Sequence, residues 1–104
     1  MRKLPPIHPG EILLEEFMKP LSLSQNAVAR DLGVDPKTVN QIVNGKRAIT
    51  AVMALRLARY FRMTPGFWMN LQTRYDLETA KDIAEAEIRK TVKPCPMKLP
   101  DATV

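Results

Sequence analysis

Residues 24–44 read SQNAVARDLGVDPKTVNQIVN, a pattern that predicts two short helices joined by a tight turn. Ser24 can cap the first helix, its hydroxyl accepting a free backbone N–H in the first turn. Gly33 would stop that helix, because glycine most easily takes the left-handed conformation just past a helix end. Asp35 can cap the second helix, and Pro36 falls at its first position, where a missing N–H costs nothing. The second helix would run to Asn44, with Gly45 as its stop.

The spacing of side chains says more. Val28 and Leu32 form the inner stripe of the first helix, and Val39, Ile42 and Val43 that of the second. Ala29 is small where a crossing helix must come close, and Val34 can plug the angle between the two. Gln25, Lys37, Thr38, Asn40, Gln41 and Asn44 are left facing outward. Such a face of amides, a hydroxyl and a lysine suits the major groove, because amides both donate to and accept from base edges. The stretch resembles a helix-turn-helix of the phage-repressor type. Counting Gln25 as first, alanine is fifth, glycine ninth, and β-branched apolar residues fifteenth and eighteenth. An ordinary αα-hairpin with a solvated polar face would share part of this pattern.

A chain of 104 residues makes one small domain with room for an added helix or tail. Its hydrophobic content of 45% is ordinary for a folded protein. No strand-like alternation persists, so the fold class is all-α. The net charge of +5 is unevenly placed. Residues 1–64 hold ten Lys/Arg and five Asp/Glu, whereas residues 65–104 hold six of each. The excess therefore coincides with the paired helices, which favours a polyanionic partner there.

Little in the chain suggests chemistry. The single cysteine, Cys95, allows no internal disulfide, and His8 lies far from it in sequence. No metal-ligand set, Ser–His–acid or Cys–His arrangement, or phosphate-cradling glycine loop is visible. No catalytic residue, metal or cofactor is expected, and the chain does not read as an enzyme. Arg2 and Lys3 are not followed by an apolar run long enough for secretion, and no transmembrane segment is present, so a cytoplasmic location is expected.

Around the central stretch, residues 1–8 read as an extended lead-in, with Pro5 and Pro6 blocking helix. A helix should start at Pro9, with His8 at its cap and Glu11 in the first turn. Ile12, Leu13, Phe17 and Leu21 would face inward, and Pro20 would end it. After the paired helices, Lys46 and Arg47 enter a loop expected against the DNA backbone. Thr50 would cap a fourth helix with Val52 or Met53, Leu55, Leu57, Ala58 and Phe61 inside. Its free N–H groups offer a phosphate seat. Gln25, Lys46, Arg47 and Thr50 are thus candidates for phosphate contact, and Lys37, Thr38, Asn40, Gln41 and Asn44 for base contact. Thr64 and Pro65 should open a fifth helix whose Phe67, Trp68, Leu71 and Tyr75 are core. A sixth, Leu77–Val92, would show a thin stripe of Ala80, Ile83, Ala84, Ile88 and Val92 that needs a covering partner. The division is then lead-in 1–8, DNA-binding domain 9–77, C-terminal helix 78–92 for contact with the domain body or another chain, and Pro-rich tail 93–104.

Two flanking stretches carry a sharper resemblance. His8-Pro9-Gly10-Glu11-Ile12-Leu13 and Thr64-Pro65, through Phe67-Trp68-Met69-Asn70-Leu71-Gln72, to Tyr75-Asp76-Leu77 are similar to the HigA antitoxins, also called virulence-associated protein I. The likeness covers about residues 7–80. It implies a phage-repressor-like fold and a homodimer that binds a palindrome in its own promoter. It also implies that this dimer blocks a RelE-like mRNA endonuclease toxin. The family's DNA contacts would fall on Asp35, Lys37, Thr38, Asn40 and Gln41, although an acid at position 35 repels phosphate unless helix N–H groups or a cytosine amine occupy it. A stand-alone repressor without a toxin, or an interaction module whose DNA binding is secondary, would also suit these residues.

Overall fold

The computed structural model describes residues 4–100, so Arg2 and Lys3 of the lead-in and 101–104 of the tail lie outside the described residues. The chain forms α1 (Pro9–Ile12), which runs into a π-helical segment (Leu13–Met18), then α2 (Gln25–Leu32), α3 (Pro36–Val43), α4 (Ala51–Phe61) and α5 (Pro65–Thr91). No strand occurs among the described residues, and no helix is long and apolar enough to cross a membrane. The all-α expectation holds.

The caps of the paired helices form as their chemistry requires. Ser24 Oγ accepts the Ala27 N–H at 3.0 Å, and Asp35 Oδ1 accepts the Lys37 N–H at 2.8 Å. Gly33 takes φ 74°, and the turn closes with Val34 N–H donating to the Ala29 carbonyl at 3.0 Å. Val28, Ala29, Leu32, Val39, Ile42 and Val43 are buried in one cluster with Leu13, Met18, Ile49, Met53, Ala54, Leu57 and Trp68. Val34 packs against that cluster as a plug.

Several expectations need correction. The first helix widens to π geometry, with Lys19 N–H donating to the Leu14 carbonyl at 2.9 Å. This wider winding brings positions five apart closer to one face, so Leu13 and Met18 are both buried. Leu21, expected inside, follows the helix end in the turn before Ser22 (φ 55°) and is 59% exposed. In α4 the inner stripe is Met53, Ala54, Leu57 and Ala58, while Val52 and Leu55 are 60% and 59% exposed. Thr64 makes no side-chain cap bond. The expected fifth and sixth helices are one continuous 27-residue helix, α5.

Aromatic packing closes the corner where the π-helical segment, α4 and α5 meet. Phe17 lies 4.8 Å from Phe61 and 5.1 Å from Trp68, ring centre to ring centre. Trp68 is fully buried, whereas Phe67, expected in the core, lies at its edge. Beyond Thr79, α5 leaves the body of the domain, and Ile83 is 80% exposed. A helix of that length measures about 40 Å, which accounts for the 54 Å long axis of the molecule.

Candidate nucleic-acid interface

The interface is built on α3, whose buried stripe fixes which side chains face out. Lys37, Asn40 and Asn44 are exposed, and Thr38 and Gln41 half-buried. All five expected base-contact residues thus reach the surface of one short helix and its C-cap. Asn44 is that C-cap, its N–H donating to the Asn40 carbonyl. Asp35 is exposed, but its Oδ1 is occupied by the Lys37 N–H. This answers the electrostatic objection to an acid here, because part of the charge is satisfied by the helix terminus.

Two outward amides are held before any partner arrives. Asn40 donates through Nδ2 to Gln25 Oε1 at 3.1 Å, linking the middle of α3 to the first residue of α2. Gln41 Oε1 accepts from Arg47 Nε at 2.8 Å, linking α3 to the following loop. Two of the expected phosphate contacts, Gln25 and Arg47, therefore hold two of the expected base contacts. Lys46 is exposed beside them, its N–H donating to the Gln41 carbonyl at 2.8 Å. Thr50 caps α4 by accepting the Met53 N–H at 3.1 Å. The earlier N–H groups of that helix have no carbonyl four residues back within it, so they remain open to an anion.

The loop between α3 and α4 is fixed from two sides by residues that the outward-face pattern does not reveal. Ile49 N–H donates to Gln72 Oε1 at 2.7 Å, and Gln72 Nε2 donates to Asp76 Oδ1 at 2.9 Å. Gln72 is the one buried polar side chain among the described residues. Its position four residues after Trp68, on the inner face of α5, was a usable sequence signal. From the other side, His8 caps α1 by accepting the Gly10 N–H at its Nδ1, 2.9 Å away. The same ring packs edge-on against Tyr75, with centroids 4.8 Å apart. Burial pushes the His8 pKa below 6.5, opposed by the nearby Asp76 charge and a hydrogen bond with the Arg47 backbone. Gly10 lies so close to α3 that a Cβ there would collide with the Ile42 carbonyl oxygen. The histidine-glycine and glutamine-tyrosine-aspartate stretches thus meet around the C-terminal end of α3.

A rigid helix-turn-helix with an outward polar helix on a basic body defines a DNA-binding protein. The helix-turn-helix family profile matches residues 14–69. The chain is 52% identical over 79 residues to virulence-associated protein I of Dichelobacter nodosus, covering 76% of this chain and 73% of that one. It is 37% identical over 89 residues to antitoxin HigA-1 of Vibrio cholerae serotype O1, covering 86% and 83%. A solved structure of Pseudomonas aeruginosa antitoxin HigA with the higBA promoter superposes with a TM-score of 0.84 at 48% identity, covering 86% of this chain and 97% of that one. The chain belongs to the helix-turn-helix family and, within it, to the HigA-type antitoxins.

Proposed function

We propose that the chain is a cytoplasmic, homodimeric antitoxin that represses its own operon and neutralises a RelE-like mRNA endonuclease toxin. The observation that carries the DNA half is the outward face of α3, whose Asn40 and Gln41 are each anchored by a residue on the phosphate-facing surface. Asn40 and Gln41 read base edges, Lys37 takes a guanine or a phosphate, and Thr38 and Asn44 complete the base-facing surface. Gln25, Lys46, Arg47 and the start of α4 at Thr50 set the register on the backbone. A two-fold dimer presents two such helices about 34 Å apart, matching one turn of duplex and a palindromic site. The exposed distal half of α5 supports a covering partner, either the second copy or the toxin. The chain performs no catalytic step in this reading; it acts by occupancy.

Coexpression with the neighbouring reading frame tests both halves. The expected result is copurification of a small basic protein whose toxicity the chain relieves, and a complex that shifts promoter DNA. Promoter binding without any copurifying toxin leaves a stand-alone repressor. Copurification without promoter binding leaves a neutralising module alone.

A further inference from the structure

The solvent face of α4 carries charge that the DNA-facing surface does not use. Arg56, Arg59 and Arg62 line an open cleft of about 700 Å³ together with Tyr60, and with Asp31 and Leu32 from the end of α2. Arg56 Nη1 donates to the Leu32 carbonyl at 2.7 Å, which ties the cleft floor to the C-terminus of α2. The cleft's one carboxylate is already engaged: Asp31 accepts from the Tyr60 hydroxyl at 3.1 Å and lies 3.4 Å from Arg30. Arg59 and Arg62 have no ion pair among the described residues. Arg62 also occupies the left-handed position at the end of α4, with φ 58°, where glycine would be less strained.

Position separates the arginine end of this face from the start of α4. Thr50 and Arg59 are nine residues apart on α4, about 14 Å along the helix axis at about 1.5 Å per residue. A duplex seated on the start of α4 therefore runs past the cleft. Helical phase puts Val52 and Leu55, both exposed, on the same face as Arg56, Arg59 and Arg62, opposite the buried Met53, Leu57 and Ala58.

We infer that this face docks an acidic segment of a protein partner, one that offers carboxylates to Arg56, Arg59 and Arg62 and apolar side chains to Val52 and Leu55. Every cation lining the cleft is arginine, whose planar fork matches a carboxylate with two parallel hydrogen bonds where lysine gives a point charge. Arginine beside exposed aliphatic groups is the composition of a protein interface, with lysine depleted. A phosphate chain has no use for Val52 and Leu55. The stripe from Val52 to Arg62 is about 15 Å long, enough for two to three turns of a partner helix. Because it lies apart from α3, acidic partner and DNA are held together rather than in competition.

The test uses the full chain and a fluorescein-labelled helical peptide of glutamate, leucine and alanine, followed by fluorescence anisotropy. The wild type is expected to bind, and the Arg59→Gln/Arg62→Gln variant to lose about tenfold or more in affinity. The Leu55→Ser variant should also weaken binding, while thermal melting and operator affinity stay at wild-type values in it and in the arginine variant. Equal peptide affinity in wild type and the arginine variant, or no binding by the wild type, overturns the inference. So does loss of peptide binding on Lys37→Ala or Lys46→Ala, which would make the peptide a mimic of DNA. Displacement by inorganic phosphate, loss of operator affinity in the arginine variant, or a self-association that only that variant abolishes would assign the face to a phosphate ligand, to DNA or to a second copy.

Discussion

The buried side chain of Gln72 accepts the backbone N–H of Ile49 at 2.7 Å, so that α5 holds the loop on which α3 hangs. Replacing Gln72 by leucine keeps the volume but strands a buried donor, at a cost of about 1–3 kcal/mol. Urea denaturation should show that loss, and operator affinity should fall with it because the loop carrying Lys46 and Arg47 is released. Undiminished stability would mean that Ile49 N–H finds another partner.

Gly10 against the Ile42 carbonyl sets how closely α1 approaches α3. Gly10→Ala drives a Cβ into backbone that cannot step aside, and overpacking of this kind costs about 1–3 kcal/mol or more. Its far-ultraviolet spectrum should remain helical while its unfolding midpoint drops.

Asn40→Ala and Gln41→Ala should each cost about 1–3 kcal/mol in operator binding and relax preference at one base pair. Gln25→Ala should reproduce part of the Asn40 effect, since it removes that residue's anchor. Binding to a panel of single-base operator variants separates these outcomes. Unchanged preference in both amide variants would remove them from the reading role.

Lys46→Ala should instead weaken every duplex alike and reduce the slope of log affinity against log salt by about one. Arg47→Ala should do the same and also loosen preference at the pair read by Gln41, because the Arg47 guanidinium holds that amide. Titrations at several salt concentrations distinguish the two.

Acidification should act through His8. Burial lowers its pKa from 6.5, so the unfolded chain binds the proton more readily than the folded one. The stability contributed by neutral His8 is complete above 6.5 and declines as pH falls from there through the lower folded value. A protonated ring would also lose the acceptor that caps α1. Melting temperature should drop on acidification through this window. His8→Asn, which keeps an acceptor near the Gly10 N–H, should flatten that part of the curve.

The sequence by itself determined the elements whose chemistry is local. Ser24, Gly33, Asp35 with Pro36, and Thr50 bound helices through interactions within a few residues, and the apolar spacing of α2 and α3 left one polar face no other direction. Tertiary packing decided the rest. Leu55 and Met53 stand two residues apart on α4 and both suit a core, but only the packing of the helices around the buried cluster chooses Met53. The sequence places a new helix at Leu77, yet Asp76 accepts from Gln72 one turn earlier within the same helix, and α5 runs on unbroken. Gly10, Gln72 and Arg56 acquire their roles from neighbours 23 to 32 residues away. Such contacts leave no periodicity behind, because they depend on where two helices cross rather than on the order of residues within either one.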